Sequence, residues 1–232
     1  GMTDSIMRPA GRVIMVSGAS RGIGAAIARR LLSDGYRLSL ASRNPDTIAE
    51  VIGNAGSDQA LVMGFDARDL VSAENWVAET VSHFGRIDGL VNNAGILRDV
   101  GFETGDEEDL DDLWSINVKA PFWLIRLCLP HLRKVGNGRV VNIASTDGKR
   151  YRQGGSVGYT MSKHALVAIT HAARVEGWND GVRATALCPG AVDTDLLAGI
   201  QGATPIEERI QPETLATIVA TILGLPNTAS VA

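Results

Sequence analysis

Tyr159 and Lys163 stand four residues apart in Ser156-Val157-Gly158-Tyr159-Thr160-Met161-Ser162-Lys163, inside a stretch whose pattern predicts a helix over Val157–Trp178. On a helix that spacing puts both side chains on one face. A phenol with its ordinary pKa near 10 is a poor base at neutral pH. A neighbouring ammonium favours the phenolate and moves the group toward the range where general acid–base catalysis is efficient. The spacing is common by chance, so its meaning depends on what surrounds it. Ser145 closes the run Val141-Asn142-Ile143-Ala144-Ser145, and Thr146 follows directly. Either hydroxyl can orient a substrate oxygen against a phenol, and Ser145 is preferred because it stands at the predicted strand end.

A second chemistry is written in Ser17-Gly18-Ala19-Ser20-Arg21-Gly22-Ile23-Gly24. Glycines between a strand and a helix permit a sharp turn, a close backbone approach to a pyrophosphate and tight helix–sheet packing. The helix that follows offers free N–H groups and the positive end of its dipole to phosphates. Taken alone, three glycines also read as a plain turn with no ligand, and the strand before and helix after weigh against that reading. The next strand ends in Ala41-Ser42-Arg43, without the acid that would bind a ribose 2′-hydroxyl. An arginine there accommodates a 2′-phosphate instead. Arg21 can reach the same phosphate with a bidentate guanidinium. Asn92-Asn93-Ala94-Gly95 puts small residues at the carboxyl end of another strand, which is where α/β sheets bind ligands.

These groups need elements to hold them. Short β-branched runs alternate with helical patterns, the mark of repeated βαβ units and a parallel sheet. Strands are predicted over Arg12–Ser17, Arg37–Ser42, Ala60–Phe65, Gly89–Asn92, Arg139–Ile143 and Arg183–Cys188. Helices are predicted over Gly22–Asp34, ended by Gly35, and over Leu70–Phe84, Val157–Trp178 and Pro212–Leu223. A longer one runs from Glu107 to Lys134, with Pro121 and Pro130 set to kink or shorten it. The expected fold is α/β, a single-domain Rossmann-type doubly wound parallel sheet flanked by helices on both faces. It would occupy residues 12–232 after a tail of residues 1–11, in which Gly1 ahead of Met2 reads as an expression scar.

The 232 residues, 45% hydrophobic and 21% charged, suit one such domain and argue against disorder. A net charge of -4 gives no basic field for nucleic acid or an anionic membrane. No apolar run is long enough to span a bilayer, and Gly1-Met2-Thr3-Asp4-Ser5 lacks the core of a signal peptide. Cys128 and Cys188 sit in apolar runs and read as buried thiols, not a disulfide or metal pair, which fits a reducing, cytoplasmic setting. No metal site is expected.

The spacing Gly-x3-Gly-x-Gly, the segment Phe84-Gly85-Arg86-Ile87-Asp88 before Asn92-Asn93-Ala94-Gly95, the pair Tyr159 and Lys163, and Cys188-Pro189-Gly190-Ala191-Val192-Asp193-Thr194 occur in the order seen in one family. From about Arg12 to Leu223 the chain resembles the short-chain dehydrogenases/reductases, with a likeness to their 3-oxoacyl-[acyl-carrier-protein] reductase members. The resemblance implies a catalytic tetrad of Asn117, Ser145, Tyr159 and Lys163. Asn117 lies in Trp114-Ser115-Ile116-Asn117-Val118-Lys119-Ala120-Pro121-Phe122 and would bind water through its backbone, linking Lys163 to solvent as a proton relay. The resemblance also implies an NADP(H) site built from Gly18, Ser20, Arg21, Gly22, Ile23, Gly24, Ser42 and Arg43. Asp66 and Ala67 would lie at the adenine, and Asn93, Ala94 and Gly95 at the ribose. Tyr159, Lys163, Pro189, Gly190, Val192 and Thr194 would lie toward the nicotinamide. The reaction would be hydride transfer between NADP(H) and a carbonyl or secondary alcohol, and the assembly a homodimer or homotetramer through the helices near 109–134 and 157–178.

Three other readings compete. An NADP-binding sensor without turnover would usually lack Tyr159 or Lys163. An NAD-linked alcohol dehydrogenase of the same fold is disfavoured by Arg43. A sugar-nucleotide epimerase of the extended type needs a larger C-terminal domain. Pocket walls are expected at Leu97–Asp99, Asp147–Val157 and beyond Thr194, with the basic stretch Gly148–Gln153 and a lid over Asp195–Gln211. The final strand usual in the family is expected to be abbreviated or cut.

Overall fold

The computed structural model describes residues 5–144, 155–189, 210–229 and 231. Six parallel strands form one sheet in the order β3-β2-β1-β4-β5-β6: β1 Val13–Ser17, β2 Arg37–Ser42, β3 Ala60–Gly64, β4 Gly89–Asn92, β5 Arg139–Ile143 and β6 Arg183–Leu187. The strand order reverses between β1 and β4, which puts the crevice of a doubly wound sheet at their carboxyl ends. Side chains along a strand alternate in direction, so β1 supplies both cores. Ile14 and Val16 join Ile27, Leu31, Val219 and Leu223 from helices α1 (Gly22–Asp34) and α7 (Pro212–Gly224). Met15 faces the other way, toward Trp76, Leu124 and Cys128 of α3 (Leu70–Phe84) and α5 (Ala120–Val135). Near-continuous burial along β1 and β5 is what a parallel sheet covered on both faces demands.

Helix α1 ends at Gly35, whose φ of 100° lies in the left-handed region that favours glycine. Most predicted elements form within one residue of their expected ends. Helix α6 runs over Val157–Gly177 and tightens into a 3₁₀ turn at Trp178–Asp180. A short helix α2, Ile48–Ile52, was not anticipated; it buries Ile48 and Val51 after a 3₁₀ turn at Pro45–Thr47.

The expected helix from Glu107 to Lys134 is corrected. It divides into α4 (Glu107–Trp114), a π-helical turn over Ser115–Lys119, and α5. The reason is Pro121: without an N–H it has nothing to donate to the carbonyl four residues back, that of Asn117. The ladder shifts there to a wider register, with Ala120 N–H bonded to Ser115 O. Pro130 stays inside α5 without ending it.

At the amino ends of the strands, buried arginines tie down the C-terminal segment. Arg12 donates to Leu223 O at 2.7 Å, and Arg139 donates to Leu225 O and Asn227 Oδ1, each at 2.8 Å. Burial lowers the Arg139 pKa to about 10. These bonds pin the end of α7 and the chain after it against the amino ends of β1 and β5.

Candidate active site

The turn between β1 and α1 leaves no room for side chains. Gly18 takes a φ of 63°, and a Cβ on Gly24 would come within 2.0 Å of Gly18 O, so neither position admits a side chain without strain. Arg21 occupies the N-cap of α1 in an extended conformation, makes no side-chain cap, and no acid stands in the first turn. Ser42 is buried at the tip of β2, Arg43 is exposed directly after it, and Arg21 is exposed at the start of α1. Asn93 Nδ2 donates to Gly18 O at 3.2 Å. The backbone N–H groups of Asn93 and Ala94 both reach Ser17 Oγ at 3.0 Å. Ser20 and Ile23 are half-buried in the turn, and Gly22 is exposed with a φ of 57°. Asp66 and Ala67 are half-buried beyond β3, and the Asp66 carboxylate accepts from Arg68 N–H at 3.0 Å. An uncapped helix end, a turn with no room for side chains and two exposed arginines fit a phosphorylated dinucleotide.

The second half of the site is closed and interlocked. Tyr159 and Lys163 are both buried on α6, and Lys163 Nζ stands 5.5 Å from the centroid of the Tyr159 ring. Nζ also donates a long bond of 3.4 Å to Ile143 O at the tip of β5. Burial pushes the Lys163 pKa down to about 8, partly offset by Cys188 nearby. Asn117, almost wholly buried in the π turn, holds the β4 tip by both ends of its amide. Its Oδ1 accepts from Ile96 N–H at 2.9 Å, and its Nδ2 donates to Ile96 O at 2.9 Å and to Ser162 Oγ at 3.1 Å. An added Cβ on Gly95 would lie 3.4 Å from both Asn117 Oδ1 and Lys163 Nζ, so the small residue lets the β4 tip reach the pair.

Three of the four expected catalytic residues, Asn117, Tyr159 and Lys163, are therefore brought together at the carboxyl end of the sheet. Ser145 and its alternative Thr146 lie outside the described residues; Ala144, directly before them, is buried at the end of β5. Gly190, Val192 and Thr194 also lie outside, as do Gly148–Gln153 and most of the expected lid, while Pro189 is half-buried just past β6. Cys128 is buried as expected, with its pKa pushed up to about 12, but Cys188 is only half-buried because it stands past the end of β6.

Two further hydroxyls, those of Ser17 and Ser156, hold the site together. Ser17 ties the glycine turn to the β4 tip, and Ser156 caps α6 by accepting from Tyr159 N–H at 3.1 Å. A serine directly before a helical run is a readable N-cap signal. The role of Ser17 depends on a contact between distant strands and carries no local mark.

A family model described as short chain dehydrogenase matches residues 12–204. The chain is 42% identical over 220 residues to agropine synthesis reductase of Rhizobium rhizogenes, covering 94% of this chain and 50% of that protein. It thus spans half the length of that relative. Among solved structures, a short chain dehydrogenase of Burkholderia cenocepacia in complex with NADP superposes with a TM-score of 0.87 at 29% identity, covering 97% of this chain and 95% of the other. A 3-ketoacyl-(acyl-carrier-protein) reductase of Brucella melitensis complexed with NADH gives a TM-score of 0.86 at 28% identity, covering 95% and 94%.

Proposed function

The chain belongs to the short-chain dehydrogenase/reductase family of oxidoreductases, and from that premise we propose that it reduces a carbonyl substrate with NADPH, using Tyr159 as the proton donor. The observation that carries this reading is the burial of Tyr159 against Lys163 beside Asn117, at the end of the sheet that also holds the glycine turn. When bound, the reduced nicotinamide supplies a hydride to the carbonyl carbon. Tyr159 Oη gives its proton to the oxygen that becomes alkoxide, and Ser145 Oγ hydrogen-bonds that same oxygen and fixes its direction. Lys163, as an ammonium, favours the Tyr159 phenolate left behind and binds the nicotinamide ribose. Asn117 shapes the π turn whose carbonyl Pro121 cannot satisfy, a place for the water that returns the proton.

Arg21 and Arg43, exposed over the end of α1 and β2, would take a 2′-phosphate, with Gly18, Gly22 and Gly24 admitting the pyrophosphate and Gly190, Val192 and Thr194 meeting the carboxamide. The NADP-bound Burkholderia neighbour supports this preference, and the NADH-bound Brucella neighbour keeps an NAD-linked enzyme as the second reading. Exposed Phe102, Trp114, Phe122 and Met161 around α4, α5 and α6 support a homodimer or homotetramer through that face. No helix among the described residues is long and apolar enough to cross a membrane, and a small-molecule substrate in the cytoplasm completes the reading. The test is NADPH oxidation across ketones, quinones and 3-oxoacyl thioesters. Stoichiometric consumption with alcohol formation supports the reading; tight binding with no consumption replaces it with a sensor.

A further inference from the structure

One hydroxyl makes most of the bonds between the first turn of α6 and the loop between β4 and α4. Ser156 Oγ accepts from Tyr159 N–H at 3.1 Å and from Val100 N–H at 3.1 Å, and donates to Arg98 O at 2.6 Å. A serine hydroxyl has one donor and two acceptor sites: the two N–H groups fill the acceptor sites, and the single hydrogen goes to Arg98 O, with Val100 O farther away at 3.4 Å. Beside it, Gly158 N–H donates to Val100 O at 2.9 Å, and an added Cβ on Gly158 would lie 3.1 Å from Val100 Cβ. Val100, Leu113 and the Tyr159 ring then pack as one small buried cluster. The far end of the same loop segment is held by Asn117 on the backbone of Ile96. On the other side of Tyr159, Ser162 Oγ donates to the Tyr159 carbonyl at 2.8 Å while receiving Asn117 Nδ2 at 3.1 Å. The backbone of Tyr159 is thereby gripped at its N–H and at its C=O, and both grips lead to the loop that leaves β4.

We propose that Ser156 is a positioning residue for the reaction: it sets where the Tyr159 phenol stands by locking the first turn of α6 to Arg98 and Val100, beyond what helix capping requires. The inference rests on the reading of Tyr159 as proton donor. It separates the two jobs of the hydroxyl. Capping needs only an acceptor for Tyr159 N–H, which an aspartate provides as well as a serine. Locking the loop also needs a donor to Arg98 O, which a carboxylate lacks.

The experiment compares Ser156→Ala, Ser156→Thr, Ser156→Asp and Tyr159→Phe in the full chain. It measures thermal midpoint, NADPH binding by fluorescence, and kcat and KM with 9,10-phenanthrenequinone, ethyl acetoacetate and an acetoacetyl thioester. Misplacing a reacting group by about 1 Å costs on the order of 100-fold in rate, so Ser156→Ala is expected to lower kcat about 10- to 100-fold. Its NADPH affinity should stay within about twofold of the parent, since Arg21, Arg43 and the glycine turn are untouched. Ser156→Thr should recover kcat. Ser156→Asp should recover the thermal midpoint but not kcat. Recovery of kcat in Ser156→Asp, or parental kcat in Ser156→Ala, reduces Ser156 to a cap and overturns the proposal. Should Tyr159→Phe keep its activity, or the parent consume no NADPH with any probe, it is the reading of the site that falls.

Discussion

The N-termini of α1 and α6 meet the same carboxyl edge of the sheet and are finished in opposite ways. In α6 the first turn is closed by the chain itself, with Ser156 accepting from Tyr159 N–H. Helices α3 and α4 are closed likewise, by Asp69 and Asp106. In α1 the capping position is held by Arg21, whose side chain makes no cap, and the first turn carries no acid. Every helix start leaves N–H groups without intrahelical partners. At α6 the chain supplies the acceptor itself, and at α1 it leaves the end open. The two halves of the site thus differ in kind: a cluster closed by its own hydrogen bonds, which the proposed function assigns to proton transfer, and an open helix end, to which it assigns the phosphates.

The contrast can be broken first at the open end. Gly24→Ala drives a methyl into Gly18 O, 2.0 Å from the ideal Cβ, and must displace the turn. NADPH affinity should fall by roughly 100-fold or more, with the thermal midpoint several degrees lower, as read by fluorescence titration and circular dichroism. Unchanged affinity would mean the phosphates bind elsewhere. Replacing Arg21 and Arg43 together by alanine removes the two guanidinium groups proposed to take the 2′-phosphate and is expected to cut the NADPH-to-NADH ratio of kcat/KM by about 10- to 100-fold, leaving NADH kinetics nearly intact. An equal loss with both cofactors would deny them the 2′-phosphate.

At the closed end the effect is on stability. Lys163 has its pKa lowered to about 8 by burial, so below that pH the fold holds an ammonium that the unfolded chain would solvate better. As pH rises from about 8 toward the unfolded value near 10.5, the native state sheds this proton before the unfolded state does, and its stability rises relative to a variant without the group. Lys163→Met should therefore stabilise the cofactor-free protein at pH 7 by an amount bounded at about 3 kcal/mol. The gain should shrink above pH 8 and be accompanied by loss of turnover. Denaturant melts at pH 7 and pH 10 check it. A destabilised variant at pH 7 would show that the Ile143 carbonyl bond outweighs the burial cost.

The open end was the more legible half in the sequence, because its chemistry lies in backbone shape and glycines advertise backbone shape. The β1–α1 turn, Gly35 as a helix stop and the strand tips bearing Arg43 and Asn93 could all be read from local patterns. Pairing Tyr159 with Lys163 needed only helical periodicity. What escaped was non-local. Ser17 acts on the tip of β4, and Ser156 acts on a loop more than fifty residues earlier in the chain. The split of the predicted 107–134 helix was visible as Pro121, but its wide turn around Asn117 follows from satisfying the backbone near a missing N–H, which propensity does not encode. The short helix α2 is held by burying Ile48 and Val51 and has too few residues to show a period.

Tyr159 carries the proposed proton transfer. Replacing it by phenylalanine keeps the ring in its cluster with Val100 and Leu113 and removes only the hydroxyl. Turnover with NADPH should drop on the order of a thousandfold while NADPH affinity changes by about twofold or less. A variant that binds NADPH and still turns over near the parental rate would contradict the assignment.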